Sequence, residues 1–165
     1  MRGRESCALL DDLEDGWTLT PGVEAALVAL GKKLGIRVAN TLLKTWVNGW
    51  TTSTRMHEEI SLRCVFGCCE DDSISHYLCC DILWTVVIGC TYPRQSLLHV
   101  SPSERVCLSA PCELWAKLIT VAASCYHSIK LGYKDEVELA LYSDDFSHVQ
   151  NRLIDLAVAF AKEVL

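Results

Sequence analysis

The sequence predicts a mainly α-helical domain in which a small, irregular, cysteine-rich turn plus helix packs among about five or six helices. Three observations lead there. Apolar residues recur at helical spacing over long stretches, most plainly in 111–131 and 146–164. Hydrophobic residues make up 50% of the 165 positions and mean hydropathy is +0.21, which supports a core and argues against disorder. Five of the ten cysteines and one of the five histidines fall within 64–80, CVFGCCEDDSISHYLCC.

Residues 1–22 mix charge with Gly3, Gly16, Pro21 and Gly22, and read as an arm or the trailing edge of an upstream domain. Arg2 and Arg4 precede no apolar run, so the stretch does not read as a secretory leader. The chain is therefore expected inside the cell, in nucleus or cytoplasm. Residues 23–63 read as a helical segment with a basic stripe. VEAALVALGKKL places apolar side chains at 23, 26, 27, 30 and 34, and Gly31 and Gly35 weaken its end. A second helix is expected over 38–50, with Val38, Leu42, Leu43, Trp46, Val47 and Trp50 on one face and Asn48 and Gly49 loosening its end. Both tryptophans are expected in the core rather than stacked on bases. Thr51, Thr52, Ser53, Thr54 and Arg55 suit phosphate contacts, a helix cap or a loop.

The segment 64–80 carries the chemistry. Read as Cys64-x3-Cys68-x7-His76-x3-Cys80, it supplies four soft or borderline ligands. Zn2+ takes four such ligands in a tetrahedron, and a site closed by four protein ligands is structural rather than catalytic. Gly67, between the first pair, tolerates the positive φ of a tight chelating turn. Asp72 or Ser73 can cap a helix on which His76 and Cys80, four apart, share a face. Cys69 beside Cys68 and Cys79 beside Cys80 leave the ligand set open at two places. A disulfide framework is the weaker expectation for a chain with no leader.

Residues 81–165 form the C-terminal helical region. The stretch 81–90 is apolar, helical or extended, with Trp84 buried. Its run LWTVVIGC is too short to span a bilayer, so no membrane is expected. Tyr92-Pro93 and Ser101-Pro102-Ser103 mark a loop. A long helix runs from Pro111 to Leu131, capped by Ser109, with apolar positions 114, 115, 118, 119, 122, 126 and 129. A shorter helix covers 134–142. The last, 146–164, puts Val149, Leu153, Leu156, Ala157, Phe160 and Val164 on one face, with Ser143, Asp144 and Asp145 as its cap and first turn.

With these residues in view, the chain resembles the zinc-binding region and helical tail that follow the polymerase in non-LTR retrotransposon reverse transcriptases. The similar features are LLKTWVNGWTTSTRMHE, then CVFGC, then DDSISHYLCCD, then ERVCLSAPCELWAKLITVAASCYHSI. The resemblance covers roughly 34–165, but its specific part is short. It implies Cys64, Cys68, His76 and Cys80 as ligands, with Tyr77 and Leu78 packed behind them. It also implies RNA or single-stranded DNA as partner and an upstream polymerase domain in the parent element. Cys69 and Cys79 add thiols beside the family pattern, Asp81 stands where proline is common, and Ser75 replaces an acidic residue.

The polymerase itself is not expected within this chain. Tyr142-Ser143-Asp144-Asp145 matches YxDD, but it lies between helical patterns instead of on a hairpin of apolar strands. No proline precedes an aspartate, as the metal cluster of a restriction-like nuclease would ask, and no phosphate-binding glycine loop is present. Cys125 and His127 diverge on a helix, so Cys125 is expected as a buried thiol. The net charge of −6 argues against nucleic-acid binding over the whole surface. The basic residues concentrate at 31–63, against an acidic 132–165, and Lys44, Arg55 and Arg63 are the candidate contacts. The expected function is a zinc-stabilised, non-catalytic nucleic-acid-binding module. The competing expectation is a structural or protein-interaction domain with no nucleic-acid role.

Overall fold

The computed structural model describes residues 21–59, 62–91, 100–108 and 110–165. Among the described residues the fold is mainly helical: α1 (Pro21–Leu34), α2 (Ile36–Trp46), α3 (Ser53–Met56), α4 (Ile74–Cys79), α5 (Asp81–Thr91), α6 (Pro102–Arg105), α7 (Glu113–Gly132), α8 (Lys134–Ser143) and α9 (Ser147–Val164). Six of these have ten residues or more, which agrees with the expected number. The others are short: α3 and α6 have four residues each and α4 has six. The expected cap Ser109 and loop residues Tyr92 and Pro93 lie outside the described residues, as does the expected arm except for Pro21 and Gly22, which open α1.

α7 is the axis of the domain. Leu118, Ile119, Thr120, Val121, Ala122 and Ala123 are all buried, and six consecutive positions cover every face of a helix. α9, α2, α5, α6, α8 and α1 pack around it. α9 closes one side through Val149, Leu153, Ala157 and Ala161, which recur every four residues. One core cluster draws on Leu42 and Trp46 of α2, Val65 and Phe66 of the cysteine-rich segment 64–80 (the knuckle), Leu83 and Trp84 of α5, and Leu118 and Tyr126 of α7.

Several boundaries differ from expectation, each for a local reason. The helix expected over 38–50 stops at Trp46, because Asn48 takes a left-handed φ of 50°. Val47 is consequently exposed, while Trp50 folds back into the core and donates to Thr45 Oγ1 at 3.0 Å. Ser101-Pro102-Ser103 opens α6 rather than only a loop. Ser101 and Glu104 form a reciprocal capping box, and Pro102 sits in the first turn. Pro111 precedes α7 instead of opening it, since Cys112 is the N-cap residue. Ser143 ends α8, Asp144 turns the chain with φ 54°, and only Asp145 acts on α9, accepting from Ser147 N at 3.0 Å. The stretch 81–90 is helical throughout, within α5.

Candidate metal centre

Backbone pairing folds residues 62–72 back on themselves. Cys64 N donates to Glu70 O at 2.7 Å, Asp72 N to Leu62 O at 2.9 Å, and Arg63 and Asp71 form an isolated antiparallel bridge. At the tip, Gly67 N donates to Cys64 O at 3.0 Å and Gly67 has φ +88°, as its place between the first two cysteines predicts. Ser73 then caps α4, its Oγ accepting from His76 N at 3.2 Å. The last carbonyls of α4, which have no partner within the helix, are taken up by the core: Trp84 Nε1 donates to Tyr77 O at 3.0 Å and Arg105 to Leu78 O at 2.8 Å.

This brings Cys64, Cys68, His76 and Cys80 together, one ligand atom from each within 4.8 Å of the others. The sulfur separations are 3.9 Å for Cys64–Cys80 and 3.7 Å for Cys68–Cys80, and Cys68 Sγ lies 3.0 Å from His76 Nε2. Cys64 and Cys80 are buried, Cys68 and His76 half-buried. Of the pairs that spacing left open, Cys68 and Cys80 are the members that lie in the cluster. Cys69 is exposed, turned out by its own left-handed φ of 63°, and Cys79 lies outside the cluster. Tyr77 and Leu78 are buried behind the ligands.

The electrostatics of the cluster favour a cation. Hydrogen bonds from Cys64 and Cys80, helped by His76, hold the Cys68 thiol far below its ordinary range against the opposing effect of burial. The Cys80 thiol moves the other way, pushed up by its contacts with Cys64 and Cys68 and by burial. Burial lowers His76, but the Cys64 and Cys68 sulfurs outweigh it and raise the imidazole to about 10. Three sulfurs this close do not all ionise unaided. A bound cation removes that obstacle by stabilising each thiolate as it forms. The arrangement can hold a metal ion, and all four candidate ligands come from the protein.

Asp72 supports the centre from below, and the sequence offered it only as a helix cap. It is fully buried. Its carboxylate accepts from Ser53 N at 2.7 Å, Ser53 Oγ at 2.6 Å, Tyr77 OH at 2.7 Å and Tyr126 OH at 3.1 Å, and pairs with Lys130. Burial pushes its carboxyl up, but Lys130, Ser53 and Tyr77 together hold it below the usual carboxylate range. Lys130 lies 58 residues further along the chain, on α7, so no local pattern marks the pair. Tyr77 OH also accepts from Val65 N at 3.2 Å, which joins the hub to the metal turn.

The three basic candidates do not line one cleft. Arg55 and Arg63 are exposed. Arg63 lines a cleft of about 360 Å³ with Cys64, Cys69, Leu141 and Asp144, whose carboxylate competes with any anion there. Lys44 lines a different cleft, with His127 of α7. Cys125 is buried, and burial raises its thiol to about 12, in keeping with an inert core residue. Among the described residues no helix is long and apolar enough to cross a membrane. Comparison of the chain with protein-family models, characterised proteins and solved structures gives no match.

Proposed function

We propose that this chain is a zinc-stabilised, non-catalytic nucleic-acid-binding module of the kind that follows the polymerase in non-LTR retrotransposon reverse transcriptases. The observation that supports it most is the convergence of three sulfurs and one imidazole nitrogen from Cys64, Cys68, Cys80 and His76. A tetrahedral zinc with Zn–S bonds of about 2.3 Å has S···S edges of about 3.8 Å. The separations of 3.9 and 3.7 Å are close to that edge. The Cys68–His76 separation of 3.0 Å would open by about half an ångström to admit the ion, from bond lengths of about 2.3 and 2.0 Å. Thiolate-rich donor sets select zinc over magnesium or calcium.

A second reading, a structural or protein-interaction module with no nucleic-acid role, draws on the net charge of −6 and on the exposed Leu131, Leu139 and Tyr142 around α8. One purified sample tests both. Elemental analysis is expected to give about one zinc per chain, kept in Cys79→Ser and lost in Cys80→Ser. A labelled single-stranded RNA is expected to bind with an affinity that falls as salt rises. A folded protein without zinc would overturn the metal reading. Zinc without RNA binding at low salt would leave the interaction module.

A further inference from the structure

A cleft of about 280 Å³ lies along the seam of α2 and α7. α2 contributes Arg37, Thr41 and Lys44, spaced four and three residues apart and therefore on one stripe of the helix. α7 contributes Ser124, His127 and Ser128 by the same rule. Phe160 of α9 and the edge of the buried Trp50 complete the wall. The site thus gathers two cations, three hydroxyls and an imidazole into one concavity, although the molecule as a whole carries −6.

The cleft is partly preorganised for an anion. Arg37 is held in place by Glu163 at 2.8 Å, by Ser124 Oγ at 3.3 Å and by the Phe160 ring beneath its guanidinium. Arg37 keeps further N–H donors beyond these two. Lys44 forms no salt bridge among the described residues, so its ammonium is not neutralised within the protein. His127 is fixed by Thr51 Oγ1, 3.3 Å from Nδ1, and by packing against Trp50. Burial, then Lys44 and Lys130, lower His127, which favours the neutral ring beside the Lys44 ammonium.

We propose that this cleft binds a phosphate group, and that its ligand is the phosphodiester backbone of a single-stranded nucleic acid. The inference rests on the nucleic-acid reading above and gives it a location. Arg37 and Lys44 would neutralise the phosphate, and Ser128 and His127 would add neutral hydrogen bonds, a combination that reads backbone and not base. Trp50 is buried and offers no stacking face, so weak sequence preference is expected. A cleft this small, at the low end of the roughly 300–1,000 Å³ of ligand pockets, takes a phosphate and its sugar more readily than a whole nucleotide.

The test measures anisotropy of a labelled single-stranded RNA on the full chain over a salt series. The proteins are wild type, Lys44→Glu, Glu163→Gln and the pair Arg55→Glu with Arg63→Glu. Zinc content and circular dichroism confirm folding of each, and Lys44 and Glu163 are exposed, so their replacement leaves the core intact. Lys44→Glu is expected to weaken binding about tenfold or more and to lower the slope of log K on log salt by about 0.7. Glu163→Gln is expected to tighten binding, because it removes the carboxylate that competes for Arg37; a merely structural role would not give that sign. Inorganic phosphate is expected to compete only weakly. RNA binding that is unchanged in Lys44→Glu overturns the cleft and leaves the module reading standing. Absence of both RNA binding and a phosphate response in the wild type overturns the cleft and the module reading together. Phosphate that shifts the His127 ring resonances of a protein that ignores RNA overturns the polymer as ligand.

Discussion

At Gly67 two independent constraints meet in one residue. Its φ of +88° is left-handed, and a Cβ built there would lie 2.5 Å from Phe146 Cγ. The spacing of the two cysteines marks the first constraint, since a short chelating turn needs a residue with positive φ. Nothing local marks the second, because Phe146 stands just before α9 and reaches the turn only in the folded chain. Gln150, one turn into α9, donates to Phe66 O at 3.1 Å and holds the two together. Gly67→Ala is expected to cost about 1–2 kcal/mol for the backbone alone, and more through overlap with the ring. Urea unfolding should show a smaller penalty for Gly67→Ala in a Phe146→Ala background. An equal penalty in both backgrounds would mean that the close approach to Phe146 costs nothing.

Between elements, the decisive contact is the Asp72 hub, which fastens the start of α4 to α3 and α7. Lys130 and Tyr126 of α7, Tyr77 of α4 and Ser53 of α3 converge on one carboxylate. Removing one partner of a buried ion pair strands the other, at a cost of about 3–5 kcal/mol, so Asp72→Asn is expected to lose stability of that order near neutral pH. The folded carboxyl lies below its unfolded value. Its contribution is therefore complete above the unfolded value of about 4 and drains away as pH falls through the folded one. Denaturant midpoints of wild type and Asp72→Asn should accordingly converge in acid. A gap that persists undiminished at the lowest pH where both fold would assign the loss to packing instead of charge. Serine at 73 was legible as a cap from its place before an apolar helix; Asp72 was not legible as a hub, because its partner Lys130 lies 58 residues away.

Across the whole molecule, the knuckle is a part of the core and not an appendage. Val65, Phe66, Tyr77 and Leu78 are buried in the same cluster as the α5 and α7 side chains. Phe66 and Tyr77 meet edge to face, and Tyr77 continues into a ring stack with Trp50 and Tyr126. If the cluster holds an ion, its removal should therefore loosen the helices as well as the turn. Chelation is expected to lower the melting temperature by about 10 °C or more, since a 1 kcal/mol loss moves a chain of this size by about 2–4 °C and structural zinc contributes several kcal/mol. Calorimetry with chelator, then with zinc restored, checks this; an unmoved transition would mean that the sulfur cluster needs no metal to stay folded.

Residue spacing was enough for the helical class, for five of the six long helices and for the segment that gathers the cysteines and His76, because helix periodicity and chelation across a short turn are local properties of the chain; it left 81–90 open between helix and strand. The same spacing could not choose between Cys68 and Cys69 or between Cys79 and Cys80, since neighbours in sequence are equally close until the backbone turns. The tertiary structure decided those choices through the left-handed φ of Cys69 and the burial of Cys80. It also recruited Lys130 to Asp72 and separated Lys44 from Arg63 into different clefts. Each of these depends on contacts between residues far apart in the chain, whose energies exist only once the core has closed.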